Sequence, residues 1–165
     1  MLKPVLFATA IVTTALGLAH APPASAQTLR AEPAAIAKLI EAKGFKAEIV
    51  NDPGKDPVIR ATDQGATFVV FFMGCTAHRD CATIQFYAGF TDSKVGIAGM
   101  NEWNKTRRFG RAYIDDEGDP VVEMDVDMDD GGMTPALFED NLEFWMSILA
   151  GFSEFVYSDD AGTEQ

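Results

Sequence analysis

The chain has 165 residues, 13 Lys or Arg against 25 Asp or Glu, and 47% hydrophobic residues, an ordinary globular share. With the first 26 residues set aside, what remains is enough for one sizeable core and too short for two. The formal net charge of −12 works against nucleic acid and anionic lipid as partners, because phosphate binding needs clustered Lys and Arg, and the one basic cluster (Lys105, Arg107, Arg108, Arg111) is too small to offset the acids.

Residues 1–26 read as a cleaved signal peptide. Lys3 supplies a positive start, residues 5–18 are apolar and uncharged, Pro22 and Pro23 break any helix, and Ala24-Ser25-Ala26 has the small-x-small form that signal peptidases cut. The apolar stretch is shorter than the roughly 20 residues a spanning helix needs, so no stable membrane span is expected after cleavage. Lys3 is the only charge lost, leaving 12 basic against 25 acidic residues, a mature balance of −13. The expected location is the periplasm or the medium of a bacterium, where Cys75 and Cys81 meet oxidising conditions.

Residues 27–32 read as a flexible lead-in. A helix is predicted from Pro33, with Ile36, Leu39 and Ile40 on one face and Lys43-Gly44 at its end. Strands are predicted over 47–50 (marginal), 58–62, 67–73 and 83–90. The TFVVFFM strand is apolar on both faces, which predicts a central position covered on each side. Residues 92–106 read as a helix through Val95, Ile97, Met100 and Trp103, although Gly96 and Gly99 each cost about 1 kcal/mol there.

Strands over 109–114 and 121–127 then flank a hairpin turn at 115–119. In the second of them Val122, Met124, Val126 and Met128 alternate with Glu123, Asp125, Asp127 and Asp129, predicting a buried face and a carboxylate ladder in water. The last helix starts at the N-cap Thr134 with Pro135 behind it. It carries two apolar stripes. Phe138, Leu142, Trp145, Leu149, Phe152 and Val156 form one, and Leu137, Phe144, Ile148 and Phe155 the other. So wide a surface serves the core, a dimer or a partner. Residues 158–165 read as a disordered acidic tail.

Cys75 and Cys81 close the facing ends of the two strongest strands, which predicts a structural disulfide. C-x-x-H-x-x-C with Asp80 as a fourth ligand is the metal alternative, though the spacing is not a usual zinc pattern; a redox pair would more typically be C-x-x-C. His78 is the only histidine after residue 26 and lies in a polar loop, and no serine has a G-x-S-x-G setting. The run Asp125-x-Asp127-x-Asp129 fails as an EF-hand, because Asp130 and Ala136 stand where Gly and Glu are needed. A looser calcium site at Asp129 and Asp130 stays open. No catalytic residue, metal ligand or cofactor is assigned. The enzymatic alternative is a metal-dependent or hydrolytic envelope enzyme using His78 or the acids. The candidate partner-binding residues are Asn101, Trp103 and Asn104, with Phe138 and Trp145 on the last helix.

The run NEWNKTRRFGRAYIDDEGDPVVEMDVD, through Asn101, Trp103, Asn104, Phe109, Tyr113 and Gly118, resembles the YbjN domain family over about residues 33–156. The resemblance implies an α+β domain over 33–157 with a single antiparallel sheet in the order αβββαββα, like type III secretion chaperones, plus one marginal extra strand at 47–50. It also implies a sensory-transduction regulator rather than an enzyme. The export signal and the cysteine-closed hairpin set the chain apart from cytoplasmic members. The expectation is an envelope binding or regulatory module that engages a protein partner or forms a homodimer.

Overall fold

The computed structural model describes residues 28–63 and 65–158, so the expected signal peptide (1–26) and all but the first residue of the expected tail (158–165) lie outside the described residues. Helix α1 (Pro33–Ala42) leads into strands β1 (Lys46–Val50), β2 (Val58–Thr62), β3 (Thr67–Met73) and β4 (Thr83–Gly89). Helix α2 (Ile97–Thr106), β5 (Arg111–Ile114), β6 (Pro120–Asp127) and α3 (Pro135–Val156) complete the chain. The strands form one six-stranded antiparallel sheet in the order β1-β2-β3-β4-β6-β5. This is the expected α+β order, and β1 is a full edge strand in register with β2 from Lys46↔Thr62 to Val50↔Val58.

All three helices pack on one face. Ile36 and Ile40 of α1, Trp103 of α2 and Phe138, Leu142, Trp145 and Phe152 of α3 share one core with Ile59, Phe68, Phe86 and Val122 of the sheet. Trp145 is its centre, stacked on Phe86 at 5.5 Å and edge-on to Phe68 at 5.8 Å. Alternation explains why: residues two apart on a strand share a face, and β3 sends Phe68, Val70 and Phe72 inward. The same rule sends Val69, Phe71 and Met73 to the opposite face, where they stay half-buried and outside the core. β3 is therefore central, but the expectation of cover on each side is corrected. Among the described residues its second face is flanked by neighbouring strands, with Phe71 edge-on to Tyr87 at 5.6 Å.

The carboxylate ladder needs a second correction. Asp125, Asp127 and Asp129 are exposed, but Glu123 is only 4% exposed. Cross-strand register places it between Tyr87 of β4 and Arg111 of β5. Arg111 donates to its Oε1, and the Tyr113 hydroxyl donates to Oε2 at 3.3 Å. A buried carboxylate keeps its charge cheaply only while partnered. Arg111→Ala should cost about 1–2 kcal/mol, below the fully buried range because the Arg111 side chain is 67% exposed. Adding Glu123→Gln should recover part of that loss in urea titrations of the double variant.

Beside this pair, Tyr87 lies over Gly89, where an added Cβ would meet its hydroxyl at 3.5 Å. Burial raises the Tyr87 pKa above the ordinary 10.0, and Tyr113, Asp115, Glu117 and Asp119 push it the same way. Folding thus favours the neutral phenol. The contribution is fully present below pH 10.0 and is lost as pH rises through the raised folded value. Tyr87→Phe should flatten the alkaline fall in stability, read from unfolding midpoints above that pH.

Two boundaries moved for tertiary reasons. Residues 92–96 are not helical: the Ser93 hydroxyl accepts from Val95 N and donates to Val156 O, tying this loop to the end of α3. Residues 28–32, expected to be loose, are tied down. Leu29 pairs with Met133 through two backbone hydrogen bonds of 2.7 and 3.0 Å, and Ala31 bridges Cys81. Gly132 makes the first of these contacts possible. Its φ is +82°, and a Cβ there would sit 2.0 Å from the Leu29 carbonyl oxygen.

Candidate functional site

The connection from α2 to β5 is clamped at both ends. Asn104 donates from Nδ2 to Ala112 O at 2.8 Å and accepts from Ala112 N at 2.9 Å, extending the sheet ladder with a side-chain amide. Gly110 lies so close to α3 that an added Cβ would meet Ile148 Cγ2 at 3.0 Å. Between these fixed points Phe109 takes φ +70°, a left-handed conformation that bulky residues rarely adopt. This turn delays β5 to Arg111 and aims the Phe109 ring outward.

There the ring stacks on Phe144 of α3, with centroids 4.7 Å apart and planes 27° from parallel. Arg108 lies 5.0 Å from the Phe109 centroid, and Arg107 covers Trp103 at 5.2 Å. Phe109 is 57% exposed, Phe144 47%, and Leu137, two helical turns before Phe144, 50%. The rest of this stripe is closed off: Ile148 by the Gly110 loop, and Gly151 and Phe155 by Trp103 of α2. The outcome is an apolar step of Leu137, Phe144 and Phe109 with Arg107 and Arg108 beside it. Core packing would select neither an exposed aromatic pair nor a strained backbone that presents one. Such strain concentrates at functional sites.

The residues singled out in the sequence fall elsewhere. Trp103 is 3% exposed, and Phe138 and Trp145 are 0%, so these three side chains are core rather than surface. Among the described residues neither tryptophan Nε1 has a hydrogen-bond partner. Asn101 is exposed on α2, while Asn104 is committed to the β5 backbone. The two stripes of α3 were separable by helical periodicity, but which one faced the sheet was not. The sequence places Phe109 at the start of a strand over 109–114 and in the family-like run, whereas the structure starts β5 at Arg111 and leaves Phe109 in the turn before it.

Cys75 and Cys81 form a disulfide, so neither offers a thiolate to a metal. Inside their loop Thr76 and Arg79 exchange backbone hydrogen bonds around Ala77 and His78, both with positive φ. His78 is half-exposed, with Nδ1 2.8 Å from Asp56 Oδ1. Asp127 and Asp129 each accept a backbone N–H of the turn that follows, and Asp125 accepts from Gln85. Among the described residues no three His, Cys, Asp or Glu side chains are grouped to hold a metal ion. Nor, among them, is any helix long and apolar enough to cross a membrane.

What the fold and this surface define is a small α+β domain with an exposed apolar step formed by its last helix and the turn before β5. A family model, YbjN, described as "Putative bacterial sensory transduction regulator", matches residues 32–157, and the chain belongs to that family. No curated protein and no solved structure matches it.

Proposed function

We propose that this YbjN domain is a non-enzymatic regulatory module of the cell envelope that works by docking a protein partner on Leu137, Phe144 and Phe109. The observation that carries the reading is the exposed Phe109–Phe144 stack, held outward by a left-handed backbone. Membership of a regulator family supports the regulatory half. The signal-like residues 1–26 and the disulfide support export. Aromatic anchors beside arginine are typical of interface hot spots, and losing one costs about 2 kcal/mol or more of binding, roughly 30-fold.

Phe144→Asp is the corresponding test. It replaces a half-exposed ring, so the unfolding midpoint should move little, while affinity for the partner should fall at least about 30-fold. Fluorescence anisotropy or calorimetry with a partner captured by crosslinking at Leu137 reads the second effect. Unchanged affinity would end the proposal.

A further inference from the structure

Away from the docking step, α3 walls a second concavity. The apolar step lies on the side of Leu137 and Phe144, whereas Met146, Leu149 and Ala150 face a groove of about 500 Å³ at the end of the sheet formed by the β2–β3 turn and the end of β4. That volume lies within the roughly 300–1,000 Å³ of small-molecule sites. Phe45, Phe90 and Tyr157 supply aromatic walls. They are held in place: Phe90 is edge-on to Phe152 at 5.3 Å and to Tyr157 at 6.1 Å, and the Tyr157 hydroxyl donates to Thr91 O at 2.9 Å. Tyr157 thereby presents a ring that is still 55% exposed.

The lining carries charge of one sign. Among the described lining residues Asp63 is the one charged group, and Lys46, cross-strand from its neighbour Thr62, lies outside the lining. Its Oδ1 accepts from Gly65 N at 2.8 Å and Ala66 N at 2.6 Å, which fixes the carboxylate at the rim. Ring faces carry negative potential, and so does this carboxylate, within a chain of net charge −12. A fatty acid or phosphate would meet repulsion here. An ammonium group on an apolar body satisfies both the walls and the rim.

We infer that this groove binds a small organic cation with an apolar body, its charged end at Asp63 and its apolar part against Phe45, Phe90 and Met146. The site is separate from the docking step and does not depend on it.

Calorimetric titration of the purified protein with octyltrimethylammonium and, in parallel, octanoate tests this, since the two share a chain and differ in charge. The ammonium should bind saturably and octanoate at least about tenfold more weakly. Asp63→Asn keeps an oxygen for Gly65 and Ala66 and should lower ammonium affinity about fivefold. Ala150→Trp, at an exposed position of the wall, should fill the groove and abolish binding while leaving the unfolding midpoint in place. Equal or tighter binding of octanoate, no saturable binding of either probe, or ammonium binding that survives Ala150→Trp would each overturn the assignment.

Discussion

Trp145→Ala should lower the unfolding free energy by about 3–5 kcal/mol, the usual cost of deleting a large buried aromatic. Trp145 is fully buried and holds Phe68 and Phe86 at 5.8 and 5.5 Å, so it joins α3 to the two central strands. A domain of this size has about 5–15 kcal/mol in total, and the midpoint should drop by roughly 10–20 °C. Trp145→Phe separates the possible causes. The indole Nε1 has no hydrogen-bond partner among the described residues, so its removal forfeits ring volume and no polar contact with them. The Phe variant should lose less than about 2 kcal/mol. Urea titrations with equal slopes for the three proteins would confirm that the native state alone was altered.

Removing the disulfide is the second large effect. Cys75 and Cys81 are six residues apart, and the chain-entropy relation for so short a loop gives about 2–2.5 kcal/mol. The double Cys→Ser protein should lose at least that amount, since Cys81 is buried in the core cluster, and stay folded on the packing around Trp145. Local damage should spread along named contacts. Cys81 bridges Ala31, and Ala82 N donates to Met73 O while Ala82 O accepts from Met128 N. Hydrogen exchange at Ala82 and Met128 should therefore accelerate while β3 and β4 keep their protection. Thiol counting on denatured protein checks the bridge itself, and two free thiols would contradict it.

The fold was legible where local rules act alone. The Thr134-Pro135 start of α3 is confirmed by the Thr134 side chain accepting from Leu137 N. The hairpin turn is confirmed by Gly118 at φ +92°. What escaped was set by distant neighbours. Alternation assigns Glu123 to a face but cannot say that Arg111 and Tyr113 will cover it. An apolar β3 reveals the lack of polar residues and not what lies over them. The start of α2 depends on Ser93 reaching Val156, 63 residues on. The candidate surface was half legible: the stripe holding Leu137 and Phe144 was visible, yet the tryptophans of the core drew attention from it. Phe109 emerges only in the structure, where it takes φ +70° next to Gly110, which lies close against Ile148.

Photo-crosslinking in the living cell tests the docking surface most directly. A benzoylphenylalanine is placed in turn at Leu137, Phe144 and Phe109, and at Ile97 and Tyr157, which are as exposed but lie off the step. The account predicts one shared adduct from the first three positions and none from the other two, lost when Phe144→Asp is added to the Leu137 probe. Adducts of equal yield at all five positions, or at the two controls alone, would contradict it.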